Sequence, residues 1–157
     1  MKNYFRVMLG AGSRYAEECR AGSFIGADFD IYQDLSDELE VTLPKFNQKF
    51  RPVWLGVNPH KSRISAGLAC GHLYTVCKGI NEGDIVISPN ESGRYMVGEV
   101  TGSYSYHTGL NLPHRRNVRW FSNAIQRDEM SRDLRNSTRN LGTVSTITKH
   151  SEELEKL

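Results

Sequence analysis

The stretch from Gly83 to Trp120 constrains this chain most: GDIVISPNESGRYMVGEVTGSYSYHTGLNLPHRRNVRW. Residues 84–88 form a β-branched run, 89–93 (PNESG) a turn, and 94–106 a long alternating strand. A polar loop leads to the basic cluster His114-Arg115-Arg116, and residues 117–121 read as a third strand. Gly98 and Gly102 interrupt the long strand and permit a bulge or a close approach of another backbone. Aromatic rings and guanidinium groups gather here as nowhere else in the chain.

The flanking segments supply helices and further strands. Residues 4–9 read as a strand ended by Gly10-Ala11-Gly12-Ser13. Ser13 is placed to cap a short helix over 14–20, with Gly22 as its stop. The glycine-rich loop lacks both the Walker lysine and the dinucleotide fingerprint, so it reads as a structural turn. Residues 23–28 form a short strand, Pro44 opens a helical stretch over 45–50, and Trp54 lies in an apolar run, 53–55, where a core position is the favoured reading and a pocket wall the other. The strongest helix spans 63–78, with Ser62 as N-cap and Lys78-Gly79 at its end. Beyond Trp120 come a short amphipathic piece (128–134), a polar loop (136–142), a β-branched strand (143–147) and a charged terminal helix (148–157).

At 157 residues the chain has the length of one domain with a sizeable core. Its net charge of +2 identifies no partner, but the distribution is uneven. Residues 28–40 carry six carboxylates and no Lys or Arg, whereas 94–139 carry eight arginines against four carboxylates. Such asymmetry suits a protein that turns one face to a polyanion, or two solvated surfaces of opposite sign. Cys19, Cys70 and Cys77 read as buried reduced thiols, which predicts a cytoplasmic location. No zinc-ligand spacing, signal segment or membrane-length apolar run occurs, so neither a metal nor a membrane is expected.

The residue patterns of the common catalytic constellations are absent: there is no GxSxG elbow, no HExxH and no closely spaced nuclease-type carboxylate–lysine set. No catalytic residue and no cofactor is therefore assigned. The key stretch suits recognition instead. Tyr104 and Tyr106 share one face of an extended strand and can line a slot for a flat base, while Arg115, Arg116 and Arg119 can meet phosphates or a guanine edge. The structural alternative is cross-strand packing of the tyrosines and solvated arginines.

These residues resemble the PUA-like EVE domain found at the N-terminus of modification-dependent restriction proteins of the EVE–HNH and Mrr-like kinds, more distantly related to YTH and SRA domains. The likeness continues in YFRVMLGAGSRYAEECRAGSFIGADFDI, SAGLACGHLYTVCKGINEGDIV and RDEMSRDLRNSTRNLGTVSTITKHSEELEKL. It implies an α+β fold with a twisted, β-barrel-like sheet and flanking helices over residues 1–147, and residues 148–157 as a connector towards an effector domain that would carry any nuclease activity. It also implies a pocket for one modified base flipped out of double-stranded DNA. The pocket aromatic of YTH readers falls at Phe24, where they have tryptophan, with Ser23 and Ile25 beside it and further walls around residues 104–114. The likeness points to 5-methyl- or 5-hydroxymethylcytosine. A catalytic role within this chain, as a nuclease or a deaminase-like enzyme, an N6-methyladenine reader and an RNA-binding PUA-like module are the alternatives, and the sequence leaves open whether copies pair as a homodimer.

The expected division of labour follows. Phe24, Tyr104, Tyr106 and Trp54 stack on the base, and Ser23, Ile25 and Asp28 offer polar groups to its edge. Lys61, Arg63, His114, Arg115, Arg116 and Arg119 hold the DNA backbone.

Overall fold

The computed structural model describes residues 2–139 and 142–157, so Asn140 and Leu141 of the expected polar loop lie outside the described residues. The fold is α+β: a seven-stranded mixed sheet and, among the described residues, five α-helices. The strands are β1 (Tyr4–Val7), β2 (Phe24–Ala27), β3 (Ile85–Pro89), β4 (Arg94–Tyr106), β5 (His114–Trp120), β6 (Ile125–Gln126) and β7 (Val144–Thr146). The helices are α1 (Ala16–Gly22), α2 (Leu43–Val57), α3 (Arg63–Tyr74), α4 (Arg132–Thr138) and α5 (Ser151–Lys156). Strand order is β2-β5-β4-β3-β1-β7, with β6 also on β4. Only the β1–β3 pairing is parallel among the described residues.

The expected barrel-like closure is corrected: the sheet is open, with β2 and β7 at its two ends. Closing a barrel needs strands that tilt and stagger together around an axis. Here the end strands are four and three residues long, and helices cover both faces instead.

The two faces bury different residues of the same strands, as the twofold alternation of a strand requires. Val86, Met96, Val100 and Val118 point into the larger core with Phe46, Phe50 and Trp54 of α2 and Ala66, Ala69, Cys70 and Leu73 of α3. Ile85, Ile87 and Tyr95 point the other way, onto Leu134 of α4 and Leu154 of α5. The terminal helix is thus packed onto the domain, and its Glu155 accepts a hydrogen bond from the Tyr4 hydroxyl. All three cysteines are free and buried.

The long α2 departs from the expected short helix. It runs through Pro52 and includes Trp54, because Phe46, Phe50 and Trp54 recur every four residues and bury one face. Ser62 caps α3 by accepting the Ser65 N–H at 3.0 Å, as its position in the sequence predicts. Ser13 does not cap α1: it is buried with φ of 62°, and the N-cap is Tyr15.

β5 starts at His114, so the basic cluster expected between the polar loop and the third strand is part of that strand. Gly98 sits where a Cβ would approach the Val118 side chain to 2.5 Å, which explains the glycine in an otherwise branched strand. No helix of the described residues is long and apolar enough to cross a membrane.

Candidate functional site

The site grows from an irregularity between β4 and β5. Val100 pairs with Val118, but the next pair is Tyr104 with Arg116, so β4 carries a bulge around Gly102. The bulge is stitched by Arg116, whose Nε donates to the Gly102 carbonyl at 2.8 Å. The same guanidinium reaches across to the end of α3. There the helix widens into a π turn, Thr75–Gly79, closed by the Ile80 N–H on the Thr75 carbonyl at 2.9 Å. Widening leaves carbonyls without helical partners, a common feature of functional sites. Arg116 Nη1 donates to the carbonyls of Val76 (3.2 Å), Cys77 (3.3 Å) and Ile80 (2.6 Å). Burial lowers the Arg116 pKa from its ordinary value, with the facing thiol of Cys77 and the carboxylates of Glu82 and Asp84 opposing the shift.

Above the bulge, Tyr104 fastens the acidic segment to the sheet. Its hydroxyl accepts the Leu35 N–H at 3.1 Å and lies 2.8 Å from His114 Nδ1, while His114 Nε2 lies 2.6 Å from the Ile31 carbonyl. A carbonyl only accepts, so Nε2 carries the proton, Nδ1 accepts, and the Tyr104 hydroxyl donates to it. The neutral imidazole satisfies every member of this chain.

Burial also lowers the His114 pKa, and the Ile31 carbonyl, Asp28 and Asp34 oppose it. A histidine held neutral in the fold contributes stability above its unfolded value of 6.5. That stability is lost as pH falls from there towards the lowered native value. We expect denaturant midpoints to drop below about pH 6.5, and the drop to shrink in His114→Gln. His72, also lowered by burial, contributes to the parent slope, so the difference between the two proteins is the measurement. Equal slopes would remove His114 from the account.

Between the bulge, the π turn and the acidic segment lies a cavity of about 370 Å³, within the size range of small-ligand sites. Tyr104 and Ser103 of β4 line one side, Arg116 and Ile80 another, and Ser36, Leu39 and Glu40 the third. Lys78, Asn81 and Glu82 complete it. Arg116 Nη2 has no hydrogen-bond partner among the described residues, although Nε and Nη1 are both engaged. At the mouth, Lys78 Nζ meets Glu40 Oε1 at 3.3 Å. That pair is exposed, so it holds the two walls together only weakly.

The structure separates the residues expected to act together. Tyr104 lines the cavity, and half-buried Tyr106 tilts against the His114 ring at 5.1 Å between centroids. Phe24 is buried elsewhere: the Arg115 guanidinium lies over its ring, 3.8 Å from the centroid. Ile25 is fully buried in the large core, and exposed Ser23 forms the left-handed end of α1. Trp54 is also a core residue, its Nε1 without a partner among the described residues. Asp28 accepts from the Asp30 N–H and the Tyr32 hydroxyl, both at 2.8 Å, and so shapes its own loop.

The arginine cluster likewise resolves into structural parts. Arg115 donates to the carbonyls of Leu112 (3.0 Å) and Asn111 (2.7 Å), and with His114 and Arg116 it lies inside the protein. A buried guanidinium spent on backbone carbonyls is not at hand for phosphates. Arg119 is exposed but pairs with Glu99 at 2.8 Å. Lys61 and Arg63 are exposed, at the start of α3.

Sequence reasoning missed Ser36, Glu40, Lys78, Asn81, Glu82 and Ser103. The density of carboxylates at 28–40 was the only signal for two of them, and the π turn looked like continuous helix. Among the described residues no group of His, Cys, Asp and Glu stands in metal-holding geometry.

An α+β domain with a mixed sheet and a polar cavity at a strand bulge is the class that these observations define. Residues 5–149 match the family described as "Domain of unknown function (DUF8426)", and the chain belongs to that family. No curated protein and no solved structure matches it.

Proposed function

We propose that this chain is a PUA-like reader module of a modification-dependent restriction system, taking one flipped, modified base of duplex DNA into the cavity beside the β4 bulge. The observation that carries the reading is the pairing of the Tyr104 ring with the Arg116 guanidinium on the walls of one base-sized cavity. A ring offers a stacking surface, and the uncommitted Nη2 of Arg116 offers a donor held in place by the π turn.

Cytosine presents an amino donor together with carbonyl and ring-nitrogen acceptors. The carboxylates of Glu40 and Glu82 can accept from the first, and Arg116 and Asn81 can donate to the second. The 5-substituted cytosines implied by the resemblance are therefore the favoured ligands. A methyl or hydroxymethyl group in a shaped pocket discriminates by about 10- to 200-fold.

The deciding experiment measures binding to duplexes with cytosine, 5-methylcytosine, 5-hydroxymethylcytosine or N6-methyladenine at one position, with structured RNA as competitor. Preference for either modified cytosine is the expected outcome. Equal affinity for all four duplexes removes the reading, preference for methyladenine reassigns the base, and stronger binding to RNA moves the module to another substrate. Incubation of the same duplexes with divalent metal should leave them uncut.

A further inference from the structure

The α4 region carries a second charged feature. Arg127, Arg132, Arg135 and Arg139 line a groove of about 510 Å³ together with Asp128 and Asn136. The spacing of 132, 135, 136 and 139 places these residues on one side of the helical turn, while Leu134 and Thr138 are buried on the other. α4 is thus amphipathic in an unusual sense: apolar inward and arginine-rich outward.

None of the four guanidiniums has an ion pair among the described residues. The nearby carboxylates are committed elsewhere. Glu129 accepts the Gln126 N–H at 2.9 Å, and Glu153 takes both the N–H and the hydroxyl of Ser131 at 2.6 Å. Asp133 is not part of the groove, so Asp128 is its only carboxylate among the described residues. Like charges three and four residues apart repel on a helix, so the row contributes nothing to the fold by itself. Four unpaired forks in one groove match an anion with many oxygens.

The geometry points to the phosphate backbone of duplex DNA: we propose that the arginine face of α4 holds it. From Arg132 to Arg139 the helical rise is about 10 Å, along which one strand presents roughly three phosphates. Arginine forks meet phosphate oxygens two at a time, which a lysine row would not do. This inference rests on the reading of the chain as a DNA reader.

The test compares the parent with Arg132→Gln/Arg135→Gln/Arg139→Gln on modified and unmodified duplexes over a salt series. Arg132→Gln alone, at an exposed position, guards against misfolding, and Lys45→Gln/Lys49→Gln controls for charge removed elsewhere. The triple variant should bind both duplexes at least tenfold more weakly at low salt, with their ratio unchanged. The slope of log K against log salt should fall by about 0.9 for each phosphate that is no longer neutralised, hence by about one such step in the single variant.

A triple variant that keeps the parent slope and affinity overturns the assignment, as does an equal loss in the lysine control. The base reading fails separately, when the parent itself shows no preference between the two duplexes. A parent that binds no duplex overturns both, and a groove-dependent preference for structured RNA over duplex overturns the duplex assignment.

Discussion

Arg116→Met should destabilise the fold by about 4 kcal/mol. The methionine fills much of the same volume but donates nothing. It strands the carbonyls of Val76, Cys77 and Ile80 around the π turn, and that of Gly102 in the bulge. A buried acceptor left unpaired costs about 1–3 kcal/mol, and some of the four will find water as the site loosens. Arg116→Lys should recover little, because one ammonium cannot span carbonyls on two separate elements. Urea denaturation gives the answer directly: the midpoint should fall while the dependence on denaturant stays constant. A loss below about 1 kcal/mol would mean that the π turn keeps its partners without the arginine.

Tyr104→Ala carries the largest expected effect on binding. Base–aromatic stacking contributes about 1–3 kcal/mol, so affinity for a modified duplex should fall roughly 10- to 100-fold. Tyr104→Phe separates the two jobs of this residue. It keeps the ring but leaves the Leu35 N–H and His114 Nδ1 without their partner, at a cost to stability of about 1–3 kcal/mol. The phenylalanine protein, assayed well below its melting point, should hold the modified base much better than the alanine protein. Equal loss in both would show that the hydroxyl network, not the ring, sustains binding. No loss in either would remove Tyr104 from the recognition surface.

Much of the scaffold was legible because it obeys local rules. The 94–106 strand announces itself by alternation, Ser62 by its place before an amphipathic run, and Gly98 and Gly102 by interrupting a branched strand. The site was legible only in part. Tyr104 could be found from its strand, but Phe24, Ile25 and Trp54 are as apolar in a core as in a pocket, and only packing distinguishes the two.

The basic cluster misleads for a related reason. Three consecutive polar residues on a strand look solvated, yet β5 is covered on both sides at this end. His114 and Arg116 share one face of the strand and are buried there, while Arg115, between them, folds over the Phe24 ring. The π turn has no sequence signature separate from the helix that it ends. Its carbonyls, and with them the role of Arg116, emerge only once β5 is packed beside it. The arginines of α4 were visible as charge but not as a group, since their shared face depends on where the helix begins.

The position of β1 bears on how this chain is assembled. β1 lies between β3 and β7, pairing Phe5 with Val86 on one side and with Thr146 on the other. This early strand therefore has no partner until some eighty residues have followed it from the ribosome, and it gains its second only after some sixty more. Pairings of such separation slow folding, and a strand edge left waiting is open to the wrong partner. The polar side of that edge is Arg6, buried in the finished fold and tied to Ser145 and Gly142. A charge on an open strand edge counts against pairing with a wrong strand, and Arg6 meets its acceptors at Ser145 and Gly142 only once β7 is in place.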